Sequence, residues 1–252
     1  MLSVREPVEI VAGVWWLRGT RGCNVYAVRL DDGRFALIDC GAVSSGAAIP
    51  RALLAADIYL DSVDTLLLTH RHLDHAAGAA ALRERLGLTV MAGAGDVRDG
   101  QLRGARRRFG RQRLAAVVDI DVALPADEES EPLPGLIAIP SPGHTDGSTC
   151  YLLPERELMF IGDVALRSSE RMSRPLRIAN DDTAAQERTL RMIAERAPAH
   201  GAPGHGAPLR GQFGEWMRAL ASKPPASGPW VLRVTRNPIQ IARFARRMFL
   251  GS

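Results

Sequence analysis

A single lysine, Lys223, serves the whole chain of 252 residues. The other basic residues are all arginine, and with 28 acidic residues the net charge is +4. So one-sided a choice reads as a compositional bias toward arginine more than as a nucleic-acid surface, since pI alone says little about a partner. Cysteine is also scarce. Cys23, Cys40 and Cys150 are far apart, odd in number and form no C-x-x-C, which speaks against a disulfide framework. They read as reduced core thiols of a cytosolic protein. No apolar run reaches the roughly 18 residues that suggest a membrane span. The opening "MLSVREPVEIVAG" carries Glu6 and Glu9 early and has no long apolar stretch, so it does not read as a signal peptide. A cytoplasmic location is the expectation.

What is present is ordinary for a globular protein: 46% hydrophobic and 24% charged residues, enough for a sizeable core. The length suits one large domain with or without a small appendage. Short β-branched segments punctuated by Gly and Asp-Asp-Gly open the chain and predict strands. Helix and strand then alternate: "SGAAIPRALLAADI" as a helix with Pro50 near its first turn, "VDTLLLTH" as a buried strand, "AAGAAALRERLG" as a helix stopped by Gly87, and "LTVMAG" as a strand. Further strands are expected around 116–122 and 135–140, then a hairpin around "PERE". A helix over "DDTAAQERTLRMIAERA" is capped by Asp181 or Asp182. This order predicts a mixed sheet covered by helices. Residues 1–223 read as one domain. Residues 224–252 read as a linker, "PPASGP", and an amphipathic helix packed on that domain, with Ile241, Phe244, Ala245 and Met248 as its apolar stripe.

The six histidines are not scattered: three fall in "THRHLDH", residues 69–75. Three imidazoles so close repel one another once protonated, and a metal that binds the neutral ring would relieve this. His70 and His72 alternate at the expected end of a strand and share a side; Asp74 and His75 follow in the turn. Three more segments offer ligands: His144 in "SPGHTDGS", Asp163 in "FIGD" and His205 in "APGHGAP". Glycines beside each let the backbone turn sharply or approach closely. His200 lacks such a frame and reads as a partly exposed histidine. Of Trp15 and Trp16, neighbours on one strand, at least one must face inward. Asp146 reads either as a partner of a ligand or as a turn residue.

The set His70, His72, Asp74, His75, His144, Asp163 and His205, in this order, resembles the metallo-β-lactamase superfamily. Asp39 in "LIDCG" matches the family's outer-shell aspartate. The resemblance runs from about residue 8 to 210 and implies a four-layer αβ/βα sandwich of two mixed β-sheets flanked by helices. It implies that His70, His72 and His144 hold one zinc ion, that Asp74, His75 and His205 hold a second, and that Asp163 bridges them. Iron or manganese suits the same ligand types. Two such ions about 3.5–4 Å apart would lower the pKa of a bridging water toward neutrality and polarise the bond it attacks. Asp74 and Asp163 would then be the catalytic carboxylates.

Departures from known branches narrow the reading. Asp163 stands where β-lactamases of the superfamily generally lack an aspartate, so β-lactam cleavage is expected only as a side activity. The metal motifs resemble glyoxalase II, but "GHGAPLRG" replaces its glutathione-holding continuation. "DVALRSSERM" lacks the tyrosine of the lactonases. A glyoxalase-II-like or lactonase-like hydrolase of an ester, thioester or lactone is the expectation, acting on a small molecule. Its rivals are a mononuclear iron persulfide dioxygenase and a phosphodiesterase or nuclease. The nuclease draws on seven arginines between 98 and 113, although a solvated face or a lid explains such a run at least as well. Within it, Arg106, Arg107 and Arg108 are candidate contacts for an anionic substrate group.

Overall fold

The computed structural model describes residues 5–103, 118–168 and 171–225. The triple arginine Arg106–Arg108 and the C-terminal helix expected beyond residue 229 lie outside the described residues.

Four short strands open the chain: β1 (Val8–Val11), β2 (Val14–Leu17), β3 (Val25–Arg29) and β4 (Phe35–Ile38), each antiparallel to the next. Helix α1 (Ala48–Ala55) follows, with Pro50 in its first turn, where a missing N–H costs nothing because no intrahelical acceptor is available there. Strand β5 (Val63–Leu67) then pairs parallel to β4. A single helical turn, α2 (Leu73–Ala76), leads into α3 (Ala79–Leu86), which Gly87 ends in the left-handed conformation at φ 70°. Strand β6 (Thr89–Gly93) continues the sheet. A small hairpin of β7 (Val97–Arg98) and β8 (Gln101–Leu102) intervenes before β9 (Val122–Leu124) completes seven strands in the order β1-β2-β3-β4-β5-β6-β9.

The second half builds a second sheet from β10 (Ser130–Leu133), β11 (Leu136–Pro140), β12 (Thr149–Leu153) and β13 (Leu158–Gly162), all antiparallel in sequence order. A ribbon of β14 (Leu166–Arg167) and β15 (Met172–Ser173) follows. Helix α4 (Thr183–Arg196) comes next, and Asp182 is its cap, accepting from the amides of Ala184 and Ala185. Strand β16 (His200–Pro203) joins parallel to β13, and α5 (Phe213–Ala221) follows.

Alternation along the strands makes three cores out of two sheets. Val25, Ala27 and Leu37 face α1 and α3, meeting Ile49, Leu53 and Leu82. Their neighbours Tyr26, Val28 and Ile38 face the second sheet, meeting Tyr151, Phe160 and Leu158. On the far side Cys150, Met159 and Ile161 meet Leu190 and Ile193 of α4 and Phe213 and Met217 of α5. The result is helix, sheet, sheet, helix: the four layers expected. The three cysteines are free and buried. Burial pushes the Cys23 thiol up to about 11 and Cys150 up to about 12.

The sequence left the small hairpins β7–β8 and β14–β15 unread, and also β10 and α5. Strand β10, "SEPL", is an edge strand with a proline and half-exposed side chains, so its alternation is weak. Helix α5 spans only nine residues, with glycines at 211 and 214.

Candidate metal centre

Parallel strands deliver their C-terminal ends to one edge of the sandwich. Asp39 follows β4, Asp163 follows β13, and His205 lies two residues past β16. His144 is carried by the loop after β11, which runs parallel to β13 because each is antiparallel to β12. Strand β5 ends at Leu67, earlier than expected, so His70 and His72 sit on a loop and not on the strand itself. They converge all the same, with ring centroids 4.7 Å apart.

Asp39 organises this loop. It adopts φ 60° and accepts from the Thr69 amide, the Thr69 hydroxyl and His75 Nδ1, each at 2.8 Å. The Thr69 hydroxyl, having donated to Asp39, can only accept from His70 Nδ1 at 3.1 Å. That fixes the His70 tautomer and leaves Nε2 as a bare acceptor. Nε2 is buried and has no hydrogen-bond partner among the described residues. His144 repeats the arrangement: its Nδ1 donates to Asn180 Oδ1 at 2.9 Å, and its Nε2 lies 2.9 Å from His72 Nδ1. Three imidazole nitrogens thus lie within reach of one cation.

A second group, Asp74, His75 and His205, also lies within reach of one ion. His75 Nε2 is 3.3 Å from His205 Nε2, and His205 is 3.4 Å from Asp74. Between the two groups stands Asp163. Its Oδ1 is 3.4 Å from His75, while Oδ2 is 3.5 Å from His144 and 3.4 Å from His205. Gly204 permits this closeness, because a β-carbon there would strike both Asp163 Oδ1 and the His75 ring. A buried orphan nitrogen and convergent imidazoles and carboxylates fit a borderline divalent metal such as zinc. Cys23 forms a further possible group with Asp39 and His75, but Asp39 there is already held by three donors.

Electrostatics separate the two sides. Burial, and then the neighbouring imidazoles His75, His144 and His72, hold His70 well below the usual histidine range. Burial and His144 bring His72 down to about 3. Burial also opposes a proton on His205, but Asp163 and Asp74 outweigh it and raise His205 to about 9. His75 is raised too: burial opposes its proton, and Cys23, Asp39 and Asp163 together prevail.

Other sequence-level candidates fall away from the centre. His200 opens β16 and accepts from the Gly211 amide. Asp146 is exposed and pairs with Arg103, leaving the ligands untouched. Trp15 packs on Phe35 with the helix-side core; Trp16 faces the intersheet core and donates to Asn24. Sequence reading missed Asp96, Asn180, Arg71 and Asn24. Asn180 stood just before Asp181 and Asp182, whose evident role was to cap α4.

A family model described as the metallo-beta-lactamase superfamily matches residues 18–205. Among curated proteins, a hydroxyacylglutathione hydrolase of Rhizobium meliloti (strain 1021) is 37% identical over 100 residues, 39% of this chain and 32% of that protein. Another from Brucella anthropi is 30% identical over 138 residues, 55% of this chain and 46% of that protein. The chain therefore spans less than half the length of these relatives. Among solved structures, a mutant metallo-beta-lactamase of the HARLDQ-motif type from Cronobacter sakazakii aligns with a TM-score of 0.66 at 19% identity, over 96% of this chain and 99% of that one. A metallo-beta-lactamase from Pseudomonas aeruginosa in its mono-zinc form aligns with a TM-score of 0.65 at 23% identity, over 85% and 93%. At such identities the likeness shows the fold.

Proposed function

The chain belongs to the metallo-beta-lactamase superfamily, and from that premise we propose that it is a hydrolase of thioester, ester or lactone bonds that works with two divalent ions, zinc by preference. The observation that supports two ions is the pair of ligand triads with Asp163 between them. Seven ligands exceed what one tetrahedral ion uses. The thioester reading draws on the hydroxyacylglutathione hydrolases that the chain resembles.

In this reading His70, His72 and His144 hold one ion, Asp74, His75 and His205 the other, and Asp163 both. When bound, the ions supply Lewis acidity and a water of lowered pKa. The chain's own groups do the rest. Asp39 and Asn180 take the outer N–H of His75 and His144 and so aim the inner nitrogen of each ring at the centre. Asp74, 24% exposed against 9% for Asp163, is the more accessible of the two carboxylates and would accept the proton of the attacking water at a carboxylate oxygen.

Full-length protein loaded with zinc and assayed on a thioester, a lactone, a β-lactam and a phosphodiester tests the proposal. Turnover of the thioester or lactone, abolished by a chelator and restored by zinc, is expected. Turnover of the phosphodiester alone would overturn the substrate class. Elemental analysis that stays near one ion per chain after supplementation would overturn the binuclear reading.

A further inference from the structure

Asp96 lies in the tight turn after β6, has no exposed surface and belongs to neither ligand triad. Its oxygens nevertheless point at the loops that carry them. Oδ2 accepts from the Arg71 amide at 2.8 Å and the Thr145 hydroxyl at 2.7 Å, while Oδ1 accepts from Arg71 Nη1 at 2.5 Å and the Gly147 amide at 3.0 Å. Arg71 stands between His70 and His72; Thr145 and Gly147 stand just after His144. One carboxylate thus joins two loops far apart in sequence.

Arg71 carries the connection onward. Its Nη2 donates to both oxygens of Asp181, at 2.8 and 2.6 Å. The Asp181 amide donates to the His144 carbonyl at 3.1 Å, and its Oδ2 accepts from the Asp146 amide at 3.0 Å. The residue before it, Asn180, takes the His144 Nδ1 proton. A guanidinium forked between two carboxylates is planar and directional, a geometry that lysine cannot supply. Buried ion pairs are weak devices for stability, since apolar residues of the same volume often serve as well. What this one fixes is direction.

In the other triad His75 is held by Asp39, and the loop of His205 by different groups again. Asn24 Nδ2 donates to the carbonyls of Pro203 and Gly206, on either side of His205. Arg167 Nη1 donates to the carbonyls of Ala207 and Pro208. None of these bonds involves Asp96. We infer that Asp96, acting through Arg71 and Asp181, is a positioning residue that aligns His144 with His70 and His72, and that it leaves the Asp74–His75–His205 position unaffected. The inference rests on the reading that the seven ligands hold two ions.

The test uses the full chain, stripped of metal and titrated with cobalt(II) and with zinc against a competing chelator. His205→Ala leaves the three-histidine position; His144→Ala leaves the other. Adding Asp96→Asn should weaken metal binding about 10- to 100-fold in the His205→Ala background, with altered cobalt absorption bands, and by less than about twofold in the His144→Ala background. Equal losses in both backgrounds, or none in either, overturn the inference. Should Asp96→Asn fail to fold by circular dichroism, Asp181→Asn serves instead, because that side chain is 29% exposed. It should show the same dependence on background, and equal losses would again overturn the inference. If the unaltered chain binds neither metal tightly, the ligand assignment falls, and this inference falls with it.

Discussion

The two halves of the centre use the same imidazole chemistry but reach opposite charge states. His70, His72 and His144 face one another, and burial with mutual repulsion keeps His70 and His72 neutral. His75 and His205 are just as confined, yet they lean on Asp39, Asp74 and Asp163 and hold their protons. The difference is the placement of carboxylates, not of histidines. It teaches that a cluster of one residue type can be divided into a side ready for a cation and a side that must first give up protons.

The largest effect should come from breaking the comparison at the residue both sides share. Asp163→Ala should leave the circular dichroism spectrum unchanged, since its side chain ends β13 and touches ligands rather than core. It should lower kcat by more than about 100-fold, beyond what losing an outer-shell partner costs. Retention of a tenth of the activity would show that the two sides do not depend on Asp163.

A smaller effect sharpens the comparison. At pH 7 His72, brought down to about 3, is already neutral, whereas His205, raised to about 9, is protonated. Zinc filling the three-histidine side should therefore draw almost no protons from His70 and His72. Zinc filling the other side should release about one or two. Titration in weakly buffered solution with a pH indicator reads this directly. The sign follows: lowering the pH from 9 toward 6 weakens the second binding step, because His205 holds its proton below about 9. Equal proton release in both steps would contradict the division.

The smallest effect is a control outside both sides. His200→Ala should change stability by less than about 0.5 kcal/mol and leave the metal content intact, while His205→Ala loses one ion. Equal metal loss in the two variants would mean that the assignment of His205 is wrong.

The ligands were legible because four fall within six residues of one segment, and the other three, His144, Asp163 and His205, each stand beside a glycine; such punctuation survives in one dimension. The four layers were implied by the family resemblance; the pattern alone gave a mixed sheet covered by helices, because β3, β4 and β13 are apolar on both faces and do not say what covers each. What supports the ligands was not. Asp96 gathers donors 25, 49 and 51 residues away, and nothing in "MAGAGDV" distinguishes it from any acid at a strand end. Asp181 and Asp182 look interchangeable as caps; only the fold sends one to Arg71 and the other to the helix. The short helix α5 and the edge strand β10 were hidden for a plainer reason: each is too brief or too exposed for its period to stand out.

The buried thiols have a practical consequence. Cys23 and Cys40 belong to the helix-side core beneath the ligand loops, and Cys150 belongs to the core under α4. With their proton affinity raised by burial, none should react with a thiol-specific reagent until water reaches it. Each is thus a built-in clock for the opening of its own layer. Labelling rates read by mass spectrometry would time the two layers separately in a single unmodified chain. Metal added to the ligand loops should slow the clocks at Cys23 and Cys40 more than the one at Cys150.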